Sequence, residues 1–413
     1  MRADLLTSKL QGFGTSIFAE MSALAVATGA INLGQGFPDT DGHACVLAAA
    51  TEALNSGKGN QYPPGPGIPE LRGAIANHQR TYYNVDLDPD TEVLVTAGAT
   101  EAIAAALLSI LDTDDECIVF EPFYDSYPAG VAMAGARIVP VTLRPQFDSA
   151  SGTRSFRLDV DELRSAITPK TKMMIVNSPH NPTGTVFTAE EMAGIASVAI
   201  EHDLIVISDE AYEHLTFDGV VHVPLCTYPG MWERTITVGS AGKTLSFTGW
   251  KIGWVTGPAE LITTVRTVKQ FLTYVSGGPF QYAVAHGLDT LGREYFAEVA
   301  ADLQAKRDRL AEGLISVGFE VFQPKGTYFI TTDVARLGVV DALAFCRQLP
   351  HLCGVVAVPN SVFYATPGGG ATQVRFAFCK RHDVIDTAVD RLAKLQTTLA
   401  NGHRHPNAIP VSS

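Results

Sequence analysis

Between residues 92 and 257, short and almost unbroken apolar runs alternate with longer stretches whose apolar positions recur every three or four residues. The runs are "EVLVTA" (92–97), "ECIVFE" (116–121), "ARIVPV" (136–141), "KMMIVN" (172–177), "LIVISD" (204–209), "RTITVG" (234–239) and "IGWVTG" (252–257). A strand reads as continuously apolar when both of its faces are covered, so these runs predict an interior sheet of seven strands. The segments "ATEAIAAALLSIL" and "TAEEMAGIASVAIEHD" predict connecting helices. The second follows Thr188 with Glu191 three residues on, the pattern of a capping box. This rhythm predicts an α/β fold with a mostly parallel, doubly wound sheet and right-handed crossovers. Such sheets bind ligands beyond the carboxyl ends of their strands, which directs attention to the residues just after each run.

From about residue 291 the pattern changes. A long charged amphipathic helix, "REYFAEVAADLQAKRDRLAEGLISVG", leads to "YFITTDV" and "TQVRFAF", which alternate like antiparallel strands with one wet face. The expected division is a large domain over residues 45–290 and a smaller α+β domain from 1–44 with 291–395. Residues 396–413 are expected to be a disordered tail.

Composition narrows the class. A chain of 413 residues, 46% hydrophobic and 18% charged, is long enough for two bodies around substantial cores. A net charge of −13 argues against nucleic acid or an anionic membrane as the main partner. The six cysteines (45, 117, 226, 346, 353 and 379) form no paired motif and suit a reducing compartment. The N-terminus lacks an apolar signal-peptide core, and the longest apolar stretch, "AIAAALLSIL", is too short to span a bilayer. The expectation is a cytoplasmic protein with no membrane partner.

The stretch "SAGKTLSFTGWKIGW" (240–254) carries the first candidate chemistry. Gly242-Lys243-Thr244 would end a phosphate-binding P-loop only with glycine at 237, where this chain has Thr237. "GFGTSI" and "GQGFPD" lack the third glycine of a dinucleotide fingerprint, and no paired-cysteine or HExxH metal pattern occurs. Lys243 instead follows one predicted strand as Asp209 ends another. An amine and a carboxylate at that edge of the sheet are what pyridoxal 5′-phosphate requires: one carries the coenzyme as an imine, the other keeps its pyridine nitrogen protonated. Tyr212 stands three residues after Asp209, in reach of the ring's phenolate oxygen. "TAGATEA" (96–102) leaves Ala99 and Thr100 at a helix N-terminus that favours an anion, and Ser240 and Lys251 can add a hydroxyl and a cation. Each residue alone has an ordinary explanation: a solvated lysine, a capping aspartate, an arginine (Arg375) on a wet sheet face. Their succession after strands of one sheet favours a site.

The segments "NLGQGFPD", "NQYPPGPGIPELR", "EPFYDSYP", "NSPHNPTG", "SDEAYEHL" and "SAGKTLSFTGWKIGW" together resemble the class I aminotransferases of pyridoxal-phosphate fold type I, over nearly the whole chain to about residue 395. Within that family the chain is similar to kynurenine/methionine/glutamine-type aminotransferases. It is further similar, through "FAEMSALA", "GATEAIAAA" and "FCKR", to actinobacterial N-succinyldiaminopimelate aminotransferase-like proteins. The resemblance implies that Lys243 is the Schiff-base lysine and proton shuttle and that Asp209 pairs with the pyridine nitrogen. Asn181 and Tyr212 would contact the phenolate oxygen, and Tyr124 would stack on the ring. Ala99, Thr100, Ser240 and Lys251 would hold the phosphate, joined by Tyr62 of the neighbouring subunit in a homodimer with shared sites. Arg375 would grip the substrate carboxylate in a bidentate pair, helped by Asn181 and the backbone at Gly36. Lys251 departs from the arginine usual in this family, replacing a two-pronged contact by a point charge.

The implied activity is a ping-pong transamination from an amino acid to a 2-oxo acid, 2-oxoglutarate by preference. N-succinyl-LL-2,6-diaminopimelate, a substrate of lysine biosynthesis, is the first choice of donor. Kynurenine, methionine or glutamine, with a cysteine-conjugate β-lyase side activity, is the alternative, and a non-catalytic coenzyme-binding regulator is the alternative from another class. Donor specificity is expected from Phe13–Phe18, Tyr124 and the stretch 273–281.

Overall fold

The computed structural model describes residues 5–14, 16–149 and 152–402. Seven strands make its large sheet: β1 (Val93–Thr96), β2 (Glu116–Glu121), β3 (Arg137–Thr142), β4 (Thr171–Asn177), β5 (Ile205–Asp209), β6 (Thr235–Ser240) and β7 (Gly253–Thr256). Each lies within one residue of a run predicted from sequence. Their order across the sheet is β1-β7-β6-β5-β4-β2-β3. The pairs β2–β3, β2–β4, β4–β5 and β5–β6 are parallel, whereas β7 runs against both β6 and β1. Helices cover both faces, which is why β1 and β6 are buried along their whole length. One of them, Ala189–Glu201, opens on the expected capping box: Thr188 Oγ1 accepts from the amide of Glu191, and Glu191 Oε2 accepts from the amide of Thr188.

A second sheet has the order Val358–Pro359, Gln373–Ala377, Phe329–Asp333, Glu320–Phe322, Thr153–Arg157, Arg144–Asp148. Its last two strands are a hairpin lent by the chain between β3 and β4, joined through Phe322 opposite Arg154. Phe329–Asp333 and Gln373–Ala377 pair antiparallel, as expected, but the expected wet face is absent. All five residues of Gln373–Ala377 are buried. The helices Arg293–Ser316, Ala342–Cys353 and His382–Gly402 pack into one core with this sheet, and the other face meets the large body near Tyr212 and Phe217. The N-terminal segment joins the same body, with Ile31 and Asn32 alongside Val355 and Val356. The last helix continues to Gly402, so residues 396–402 of the expected tail are helical. Residues 403–413 lie outside the described residues. Among the described residues, no helix is long and apolar enough to cross a membrane.

Candidate active site

A cavity of about 260 Å³ opens at the carboxyl edge of the large sheet, against the second body. At one end, the helix Gly98–Ile110 starts directly after β1 and turns its unpaired first amides, including those of Ala99 and Thr100, toward the space. Gly98 holds φ +79°, and a Cβ added there would come within 3.2 Å of Lys251 Nζ. The ammonium of Lys251 therefore lies over the helix N-terminus. Lys251 itself adopts a left-handed conformation (φ 55°, ψ 46°), unfavourable for a side chain with a Cβ and held here by the reversal into β7. Ser240 ends β6 directly opposite Gly253, the first residue of β7, so hydroxyl and ammonium arrive from neighbouring strands. Helix amides, hydroxyl and ammonium together form an anion cradle.

The amine and the acid occupy the middle. Lys243 sits in the short helix Ala241–Thr244 after β6. Its Nζ is 2.5 Å from Tyr328 Oη and 3.4 Å from the carbonyl of Gly36. Tyr328 donates its own hydroxyl proton to that carbonyl at 2.6 Å, which leaves its oxygen lone pairs to receive the amine. Burial pushes the Lys243 amine down to about 8. Asp209, 5% exposed at the end of β5, accepts from Tyr127 Oη at 2.6 Å and from the amide of Ala211 at 3.2 Å. Burial raises its carboxyl pKa, and the Tyr127 hydrogen bond opposes that rise. Tyr212 and Tyr124 line the same space, and the Tyr124 hydroxyl is 3.4 Å from Thr100 Oγ1.

At the far end lies Arg375, 2% exposed, which rules out the wet-face reading. Its Nη1 donates to Asn181 Oδ1 at 3.1 Å and its Nη2 to the carbonyl of Gly34 at 3.1 Å, while Nε has no partner. The rings of Phe329, Phe363 and Phe18 surround the guanidinium at 4.1, 5.0 and 5.2 Å. Burial depresses its pKa to about 10, leaving the group cationic at neutral pH. Asn181 is placed by Asn177, whose Oδ1 takes the Asn181 amide at 2.7 Å and whose Nδ2 donates to the Asp209 carbonyl at 2.8 Å. A buried cation bonded only to neutral oxygens is poised for an anion.

Eleven of the twelve residues singled out from sequence thus line one cavity; Tyr62 does not. Tyr62 is 82% exposed, its ring 5.5 Å from that of Tyr274 on the outer surface. Of the expected specificity elements, Phe18 and Tyr124 line the cavity and the stretch 273–281 does not. Gly36 is present, with its carbonyl engaged by Tyr328 and Lys243. Sequence reasoning missed Tyr127 and Tyr328. The first lies in the opening turn of the helix Ser126–Ala134, its side chain reaching Asp209 at the end of β5, and the second belongs to the other body. Both lie in quoted segments, Tyr127 in "EPFYDSYP" and Tyr328 at the start of "YFITTDV", but neither spacing shows which side chain reaches the cavity.

Comparison with known proteins agrees with this geometry. The family described as "Aminotransferase class I and II" matches residues 28–392. A Mycobacterium tuberculosis protein named "Probable N-succinyldiaminopimelate aminotransferase DapC" is 52% identical over 399 residues, covering 95% of this chain and 98% of its own. The methionine aminotransferase of Escherichia coli K12 is 37% identical over 388 residues, covering 94% and 98%. Among solved structures, N-succinyldiaminopimelate aminotransferase from M. tuberculosis superposes with a TM-score of 0.91 at 52% identity, over 94% of this chain and 100% of the other. The E. coli methionine aminotransferase YbdL follows at 0.88 and 36%, over 94% and 99%. Sequence, fold and cavity converge, and the chain belongs to the class I and II aminotransferase family.

Proposed function

We propose that this aminotransferase works with pyridoxal 5′-phosphate, takes N-succinyl-LL-2,6-diaminopimelate as amino donor and passes the amino group to 2-oxoglutarate. The observation that carries the reading is the meeting in one cavity of a buried amine, a buried carboxylate and a buried guanidinium with no anionic partner. The donor choice rests on 52% identity to the M. tuberculosis protein, against 37% for the methionine and kynurenine aminotransferases that are also similar.

The coenzyme fits the residues present. The cradle of helix amides, Ser240 and Lys251 would hold its phosphate, Asp209 would face its ring nitrogen, and Tyr212 and Asn181 its ring oxygen. Tyr124 would stack on the ring, and Lys243 would carry it covalently. When bound, the coenzyme supplies an electrophilic ring that accepts the electron pair left as the substrate's α-proton departs. The chain's own residues do the rest. Arg375 takes the α-carboxylate shared by donor and acceptor, its free Nε–H available for a second hydrogen bond. That grip turns the α-carbon toward Lys243, whose neutral amine removes and returns the proton. The Tyr127 hydrogen bond opposes the rise that burial causes in the Asp209 carboxyl pKa. Phe18, Phe329 and Phe363 exclude water from Arg375 and so strengthen its hold on a carboxylate.

The resemblance further implies a homodimer. Tyr62, Phe271 and Tyr274 are 82%, 83% and 51% exposed, an apolar surface that a second copy would cover. In that assembly Tyr62 of one copy would complete the phosphate cradle of the other.

A panel of amino donors with 2-oxoglutarate tests the donor, followed as loss of the coenzyme's absorbance on amination. Succinyl-diaminopimelate is expected to have the highest kcat/KM. Preference for methionine or kynurenine would move the assignment to those relatives. Lys243→Ala is expected to abolish covalent capture of the coenzyme and turnover together, and retained capture would remove Lys243 from its role.

A further inference from the structure

Away from the cavity, three side chains meet where the helix Pro69–Tyr83 packs against the segment after β5: His78, Glu213 and His214. One ligating atom from each lies within 4.8 Å of the other two. His78 and Glu213 are 2% and 5% exposed, and His214 reaches partway to solvent. The imidazoles approach Nε2 to Nε2 at 2.7 Å, a hydrogen bond that uses one proton. Glu213, whose carboxylate is contacted by Tyr83 and Gln79, keeps Oε1 buried with no hydrogen-bond partner. Buried polar atoms are nearly always paired, so an orphaned carboxylate oxygen beside two imidazoles points to a missing partner.

We propose that His78, Glu213 and His214 form a binding site for a divalent transition-metal ion, zinc by their ligand type, with solvent in the fourth position on the His214 side. Two imidazoles and one carboxylate are a zinc donor set. Nitrogens bound tetrahedrally to one zinc at about 2.0–2.1 Å stand about 3.3 Å apart, so the imidazole pair opens by about half an ångström and gives up its shared proton. Packing holds both rings in place. His214 stacks on Phe296 at 3.9 Å and 9°, and His78 lies against Tyr82 at 4.6 Å. Arg293, the neighbouring cation, is turned away onto the Tyr82 ring at 4.7 Å and donates to the Thr81 carbonyl. Bound metal would tie the helix Pro69–Tyr83 to the turn that carries Tyr212, linking the ion to the bracing of the cavity wall.

The test is calorimetric titration of the chelator-stripped, coenzyme-loaded protein with Zn²⁺, and with Co²⁺ for visible absorption. One equivalent of Zn²⁺ per chain is expected, with a rise in thermal midpoint, and Co²⁺ should develop the bands of a low-coordinate centre. His214→Ala and Glu213→Gln should each weaken Zn²⁺ binding by more than about 100-fold. Absence of stoichiometric binding would overturn the proposal, as would binding unchanged in both variants, which would place the ion elsewhere. Should the Glu213 variant fail to fold, His214→Ala and His214→Gln decide by themselves: equal affinity to the parent sinks the site. Circular dichroism and the coenzyme's absorbance report folding independently of metal.

Discussion

Lys243 holds its amine against two oxygens, of Tyr328 and Gly36, and neither is an anion. Burial therefore outweighs the opposing pull of Cys379 and Asp209, and the amine's pKa falls from 10.5 to about 8. Below pH 8 the group is charged in both folded and unfolded chains, and the folded state bears the full cost. Between about pH 8 and 10.5 only the unfolded chain keeps the proton, so the cost fades as pH rises. Coenzyme-free Lys243→Met is accordingly expected to be more stable than the parent at pH 7, with the gap closing toward pH 10.5. Denaturation midpoints across that range check it, and equal midpoints at pH 7 would contradict it. Tyr328 accepts from the amine and so favours its charged form. In Tyr328→Phe the amine should titrate lower, moving the pH dependence of coenzyme capture to more acidic values without abolishing capture. Lys243 and Asp209 could be picked out from sequence because a charged residue ending or closely following an apolar strand is conspicuous. Tyr127 and Tyr328 could not, since their value comes from contacts with segments 82 and 85 residues away.

Strand–helix junctions set the cavity's geometry, and two of them give opposite expectations. At Gly98, φ +79° and the 3.2 Å approach of Lys251 leave no strain-free place for a methyl group. Gly98→Ala should cost more than about 1 kcal/mol and weaken coenzyme retention, read by equilibrium dialysis. The Thr188 cap is remote from the cavity, so Thr188→Ala should cost about 1 kcal/mol in denaturant melts with turnover unchanged. The seven strands were legible because an interior strand has a distinctive run of apolar residues. The hairpin Arg144–Asp148 with Thr153–Arg157 was not, since its first strand is exposed throughout and carries no such run. The reversed direction of β7 also leaves no trace in hydrophobicity. Helices packed over the second sheet erased its expected wet face, a tertiary effect that local alternation does not report.

For the whole molecule, the exposed Tyr62 decides how many chains make a site. If a partner completes the cradle, Lys243→Ala and Tyr62→Ala chains should each be impaired alone. Mixed, they form hybrids in which one of the two sites carries neither defect. Recovery of activity on mixing is the expected result, and sedimentation establishes association. No recovery would confine Tyr62 to its own subunit's surface. The antiparallel turn of β7 has a further consequence. Because the chain leaves the sheet at Ser240 and re-enters beside it at Gly253, a single short connection bears both Lys243 and Lys251. It works as a yoke of fixed length: one inserted residue, worth up to about 3.5 Å of chain, would drag the Lys243 amine and the Lys251 ammonium out of alignment together. Length variation among homologous sequences should therefore stop at this connection, even where its residues differ.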